Sequence, residues 1–205
     1  MDGLLIVMSG FSGAGKGTLM KRLMSDYDNF AFSVSMTTRA MREGEVDGKD
    51  YFFVTKERFE EEIAKGGLVE HAMYCGNYYG TPKAYVEEQL KKGKNVILDI
   101  EVQGALAIKE KFPDALMLYV IPPTMDVLVE RLRNRGTESE EVIQRRLNQA
   151  KEESKLIEKY EYVVINDDLD VAVKQMYEII SSARFTTGRR TDMIQKIREE
   201  LKSIK

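Results

Sequence analysis

The chain has 205 residues, 43% hydrophobic and 32% charged, with 31 Lys and Arg against 34 Asp and Glu for a net charge of −3. That length suits one large α/β domain with a substantial core. The acidic balance argues against a general nucleic-acid or membrane-surface binder, which would be net basic.

The first apolar run, Leu4–Met8, leads directly into Gly10-Phe11-Ser12-Gly13-Ala14-Gly15-Lys16-Gly17-Thr18. Leu19, Met20 and Leu23 then recur at helical spacing, so a strand, a glycine-rich turn and a helix over 15–25 are expected in that order. Glycines let the backbone wrap inward so that successive N–H groups point at an anion on the helix N-terminus. Lys16 would reach β- and γ-phosphates as a mobile point charge. The usual cradle of this kind puts Ser or Thr directly after the lysine, where its hydroxyl meets Mg²⁺. Here Gly17 stands there, so either Mg²⁺ is held through water or another residue substitutes, and Thr18 reads as a hydroxyl for the α-phosphate.

Further strand-length apolar runs follow at 30–34, 95–100, 115–121 and 162–165, alternating with helical patterns over 101–111, 125–134, 139–159 and 169–183. That alternation predicts a parallel sheet covered on both faces. Pro122-Pro123 ends one strand, and Thr124-Met125-Asp126 opens the next helix. Residues 35–93 read differently: a polar loop, an aromatic run at 51–54, a helix over 56–65, and short strands at 68–74 and 77–79 suggest an inserted antiparallel or mixed lobe. Cys75 is the single cysteine, so no internal disulfide forms; it reads as a small half-buried filler. The tail 186–205 carries Met193, Ile194, Ile197, Leu201 and Ile204 on one helical stripe, and reads either as a docked extra helix or as a frayed end. The chain enters a strand at once and no apolar run reaches roughly 18 residues, so neither a signal peptide nor a membrane span is expected and the cytoplasm is the expected compartment.

In Ser35-Met36-Thr37-Thr38-Arg39-Ala40-Met41-Arg42, two arginines preceded by hydroxyls can grip a phosphate, although a solvated loop is the simpler reading of this stretch alone. Tyr51 and Tyr79 each offer a phenol that can donate to a phosphate while its ring packs. Glu70 sits in the apolar strand Leu68-Val69-Glu70-His71-Ala72. Buried, it would need donors, and guanine offers N1–H and N2–H₂ where adenine offers an acceptor; from this residue alone a solvent-facing glutamate is the plainer reading. His71, the only histidine, is expected to pack beside it. Asp99 ends an apolar strand, where the ligand crevice of an α/β sheet opens, and is placed to orient Mg²⁺ or its waters; Glu101 lies near the second substrate, with capping of the next helix as the alternative. Arg131, Arg133, Arg135, Arg145 and Arg146 surround Gly136-Thr137-Glu138, with Thr137 and Glu140 forming an expected capping box. Such an arginine-rich helical pair can serve as a lid that neutralises charge on a transferring phosphoryl group.

Together the stretches 10–18, 35–42, 44–54, 76–81, 97–104, 131–137 and 164–170 resemble the guanylate kinase family over nearly all of residues 3–185. The resemblance implies a three-layer α/β fold with a parallel core sheet, an inserted GMP-binding lobe at about 35–93, a helical lid at about 126–156, and a separate tail. It implies transfer of the γ-phosphoryl group of ATP to GMP or dGMP with Mg²⁺, in recycling of GMP, by a monomer or homodimer. Ser35, Glu70 and Thr81 would face guanine with Glu101 close by; Arg39, Arg42, Tyr51 and Tyr79 would hold the GMP phosphate. Lys16, Arg131, Arg135 and Arg146 would surround the phosphoryl group in flight, and Asn166 and Asp167 would border the adenine. The chain departs from the commoner pattern at Gly17, at Phe11 and Met41 where prolines are usual, and at Glu101 where Asp is frequent. A kinase for another nucleoside monophosphate and a non-catalytic phosphopeptide-binding module are the alternative classes; the intact cradle speaks against the second.

Overall fold

The structure, a computed structural model, describes residues 3–74, 76–134 and 139–204, and of Tyr74 the backbone alone. The elements follow in chain order: β1 (Leu5–Gly10), α1 (Lys16–Asp26), β2 (Phe30–Phe32), β3 (Met36–Thr37), β4 (Phe52–Phe53), α2 (Lys56–Ala64), β5 (Leu68–Tyr74), β6 (Asn77–Pro82) and α3 (Lys83–Lys91). Then come β7 (Asn95–Asp99), α4 (Val102–Lys111), β8 (Leu116–Ile121), α5 (Met125–Asn134), α6 (Glu140–Ser154), β9 (Tyr162–Ile165), α7 (Leu169–Ala183) and α8 (Thr191–Ser203).

The core sheet has the order β2-β7-β1-β8-β9, and every pairing in it is parallel. Ile6, Val7, Met8, Val96, Ile97, Met117 and Leu118 are fully buried because helices cover both faces, which is why these strands read as unbroken apolar runs. β1 lies between β7 and β8, so its C-terminal end, where Gly10 pairs with Val120, opens at the centre of the sheet. The second sheet, β4-β3-β6-β5, is mixed: β3 and β4 run parallel, while β6 is antiparallel to both β3 and β5. It is the inserted lobe expected from the short aromatic strands.

Several expectations need correcting. α3 has no counterpart in the sequence reading; it packs on β7 and buries only Val86 fully, so its apolar stripe is thin. α6 stops at Ser154 and a separate 3-10 turn covers Ile157–Lys159. Its N-cap is Ser139, two residues past the expected capping box, and Thr137 lies outside the described residues. His71 is exposed instead of packed, because successive side chains on β5 alternate and Glu70 takes the inward side. Cys75 lies outside the described residues. The tail forms helix α8, whose Met193, Ile197 and Leu201 are exposed, as is Ile204 at its C-cap.

Candidate active site

The turn between β1 and α1 is built as a cradle. Gly15 is the α1 N-cap at φ +93°, and a Cβ there would stand 2.2 Å from Asn166 Nδ2. Gly10 lies so close to β8 that a Cβ would meet the Val120 carbonyl at 2.3 Å. Only glycine satisfies both constraints. Asn166, buried just after β9, donates from Nδ2 to the Ala14 carbonyl at 2.8 Å and locks the loop from outside. Lys16 Nζ donates back to the Gly10 carbonyl at 2.7 Å and stands 3.9 Å from Asp99 at the end of β7. Burial pushes the Asp99 carboxyl up, and Lys16 opposes that shift. Asp99 thus stands in the cleft with the Lys16 ammonium beside it.

Two of the expected lid arginines already touch the cradle. Arg131, on α5, donates to the Asn166 carbonyl at 3.0 Å and to the Ala14 carbonyl at 3.4 Å. Arg146, on α6, hydrogen-bonds Ser12 Oγ. Arg135 lies outside the described residues, while Arg133 pairs with Glu140 at 2.6 Å on the surface and Arg145 is exposed. A cleft of about 340 Å³ opens beside the cradle, lined by Gly13, Gly15, Thr18, Arg131, Asn166, Asp167 and Leu169. Phe11 is buried edge-on against Tyr119, so it anchors the loop in the core.

Across the cleft the lobe presents two groups of residues. In the first, the Arg39 guanidinium lies 5.3 Å from the Tyr51 ring and 5.5 Å from the Phe53 ring, and Tyr51 meets Tyr79 edge-on at 6.0 Å. Burial, reinforced by Asp99, pushes the Tyr51 phenol up to about 12, so it stays a proton donor. Arg42 is exposed. The hydroxyls expected to help here serve the sheet instead: Thr37 Oγ1 donates to the Tyr78 carbonyl at 2.9 Å, and Thr38 Oγ1 accepts from Tyr78 N–H at 2.9 Å.

In the second group, Glu70 is 3% exposed and accepts from Thr81 Oγ1 at 2.7 Å, with Ser35 and Thr81 also buried. Burial pushes its carboxyl up to about 7; Thr81 and Lys111 hold it down, and Glu101 adds to the rise. Glu101 is the α4 N-cap, accepting from the Gln103 and Gly104 N–H groups, so the capping alternative describes its bonding. Gly104 was missed in the sequence. A Cβ there would stand 2.8 Å from Glu70 Oε2 and 3.2 Å from Glu101 Oε1, so the helix approaches both carboxylates only because it has glycine at this turn. A glycine inside a helical pattern was the available signal. Lys111, at the far end of α4, donates to the Val69 carbonyl at 3.0 Å and fixes β5 to the same helix.

A glycine-rich turn at a helix start, two arginines bonded to it and a buried carboxylate in the second sheet occur here in one chain, and a family model described as guanylate kinase matches residues 3–183. The chain belongs to the guanylate kinase family. Guanylate kinase of Streptococcus thermophilus (strain CNRZ 1066) is 53% identical over 188 residues, covering 91% of this chain and 90% of the relative. Guanylate kinase of Lactococcus lactis subsp. lactis (strain IL1403) is 51% identical over 187 residues, covering 91% of each. The crystal structure of guanylate kinase from Anaplasma phagocytophilum superimposes with a TM-score of 0.76 at 32% identity, over 92% of this chain and 89% of that one. Among the described residues of this guanylate kinase family member, no helix is long and apolar enough to cross a membrane.

Proposed function

We propose a division of labour between cradle, lid and lobe in the phosphotransfer from ATP to GMP, which is the activity of this chain as a member of the guanylate kinase family. The cradle, Gly10, Phe11, Ser12, Gly13, Ala14, Gly15, Lys16, Gly17 and Thr18, holds the ATP phosphates, and Asn166 and Asp167 border the adenine. Ser35, Glu70 and Thr81 read guanine, with Glu101 behind them. Arg39, Arg42, Tyr51 and Tyr79 anchor the GMP phosphate. The observation that carries the choice of base is Glu70: among the described residues this buried carboxylate has Thr81 as its one side-chain donor, with the Thr81 backbone N–H beside it, and an ionised carboxylate has acceptor capacity left for two adjacent N–H groups.

A phosphate oxygen of GMP attacks the γ-phosphorus in line, the bond to the β–γ bridging oxygen breaks, and ADP leaves with that electron pair. No covalent enzyme intermediate is needed; positioning and charge neutralisation suffice. Lys16 follows the γ-phosphoryl group, while Arg131, Arg135 and Arg146 neutralise its equatorial oxygens. Closure of the lobe against the cradle excludes water and couples turnover to the presence of GMP.

Mg²⁺ fits this donor set. Asp99 is a cleft carboxylate with the Lys16 ammonium beside it, and a Cβ at Gly17 would meet nothing within 4 Å, which leaves room for water at the position of the missing hydroxyl. Asp99 and Thr18 would hold the ion through water, and its positive charge would offset that of the ATP phosphates.

The same reading makes the chain a cytoplasmic enzyme of small-molecule substrates, monomeric or homodimeric, with no nucleic-acid partner. A coupled ADP-release assay offering GMP, dGMP, AMP, CMP, UMP and dTMP in turn tests the base choice. GMP is expected to be the preferred ribonucleotide acceptor, and a better rate with AMP would overturn the role given to Glu70.

A further inference from the structure

Glu45 belongs to neither group of residues assigned to GMP, yet its carboxylate accepts three hydrogen bonds within the lobe. Its Oε1 accepts from Arg39 Nη2 at 2.7 Å, and its Oε2 accepts both from Arg39 Nη1 at 3.0 Å and from the Arg42 backbone N–H at 2.7 Å. Both partners are well covered, with the Arg39 side chain 13% and the Glu45 side chain 19% exposed. Gly44 at φ +84° and the bond from Glu45 N–H to the Arg42 carbonyl at 3.2 Å turn the chain so that the carboxylate can fold back.

A guanidinium has five N–H donors in a fixed plane. Glu45 takes one from each Nη, and the Ala40 carbonyl takes the second from Nη1 at 2.7 Å. By that count the hydrogen bond with Tyr79 falls on the side-on edge, Nε–H and the other Nη2 hydrogen, where Tyr79 and the phosphate would share the donors. The Tyr51 and Phe53 rings flank the guanidinium. A long, flexible side chain is thereby reduced to one orientation before any ligand arrives, and ordering it beforehand lowers what binding must later supply.

We propose that Glu45 is a positioning residue for the GMP phosphate: it grips Arg39 end-on, and Arg42 through its backbone, so that the side-on Nε–Nη2 edge of Arg39 is presented to the phosphate. The inference rests on the reading that Arg39 anchors that phosphate. It differs in sign from a simple charge argument. Glu45 cancels one of two nearby positive charges, so if charge alone mattered, its removal would tighten GMP. If orientation matters, its removal weakens GMP.

The test is calorimetric titration of GMP and of guanosine into wild type, Glu45→Ala, Glu45→Gln, Arg39→Ala and the double variant Glu45→Ala/Arg39→Ala. Glu45→Ala should lose roughly 10- to 100-fold in GMP affinity, the scale of a charge-assisted pair, with guanosine affinity and the KM for ATP unmoved. Glu45→Gln, which keeps one acceptor for the fork, should recover part of the loss. In the Arg39→Ala background, Glu45→Ala should cost much less than in wild type, leaving only what its hold on the Arg42 backbone contributes. If GMP binding tightens or stays unchanged in Glu45→Ala, if guanosine weakens in parallel, or if the two losses simply add, the positioning role is overturned. If Arg39→Ala itself leaves GMP affinity intact, the fault lies instead with the placement of the phosphate.

Discussion

Replacing Glu70 by Gln changes one group in the pocket we assign to guanine and nearly preserves its shape, so the response of GMP binding to pH isolates the contribution of the carboxylate. Glu70 is 3% exposed and its carboxyl is pushed up to about 7, with burial as the leading cause and Glu101, Thr81 and Lys111 as the surrounding polar groups. Only the ionised form accepts from both guanine N–H donors. A group with a pKa of about 7 is about nine-tenths ionised at pH 8 and about one-hundredth ionised at pH 5, so the Kd for GMP should rise roughly 100-fold over that interval. The GMP phosphate, with its second ionisation near about 6, adds roughly tenfold; that part persists in Glu70→Gln and can be subtracted. At about pH 8 the variant should bind GMP roughly 30- to 1000-fold more weakly, the equivalent of about 2–4 kcal/mol. Its remaining pH dependence should be shallow. Stability moves the other way. The folded carboxyl titrates above its ordinary value of 4.5, so the free protein holds the extra proton between the two values and loses stability as pH rises through them. Above about pH 7 and without GMP, Glu70→Gln should therefore unfold at a higher temperature than wild type. Titration calorimetry without ATP, at several pH values, measures the binding free of catalytic steps. Parallel pH curves for wild type and variant would refute the reasoning.

Lys16→Ala should lower kcat by on the order of 100-fold or more while leaving GMP affinity nearly intact; turnover within tenfold of wild type in a coupled assay would remove Lys16 from the chemistry. Gly17→Ser should be tolerated, since a Cβ at that position meets nothing within 4 Å. Asp99→Ala should be far more damaging, and comparable activity of the two variants would argue against Asp99 as the carboxylate serving Mg²⁺. Gly104→Ala should separate stability from function: alanine favours the helix by about 1 kcal/mol, whereas its Cβ falls 2.8 Å from Glu70 Oε2. The KM for GMP should rise roughly tenfold with the KM for ATP unchanged, and an unaltered KM for GMP would show that Glu70 accommodates the methyl group.

The core was legible because its physics is local. A parallel strand covered on both faces must be apolar throughout, and β1, β7 and β8 announce themselves as such runs. The cradle was equally legible, since its glycines and lysine are contiguous and each is required by backbone geometry. What stayed hidden depends on partners distant in sequence. β3 is two residues long and exists through its pairing with β4 and β6. α3 carries one fully buried apolar side chain, so its pattern is nearly silent. Whether Glu70 faced solvent or the interior was undecidable from its own strand, because its surroundings are assembled by Gly104 and Thr81 on other elements. Glu45 looked like one more charge in a polar loop; only the fold of that loop joins it to Arg39.

Asn166 grips the Ala14 carbonyl from 152 positions further along the chain, and the strand that leads into the cradle sits between two strands made much later. During synthesis the glycine-rich segment therefore leaves the ribosome early but is assembled late, because each of these pairings waits for a long loop to close. Affinity for ATP is a property of the finished chain, and a stalled or truncated product lacks the grip that shapes the loop. Nucleotide that binds the closed sheet and not its fragments stabilises it by mass action. The cell's own nucleotide pool thus favours those copies whose far end has joined the near one.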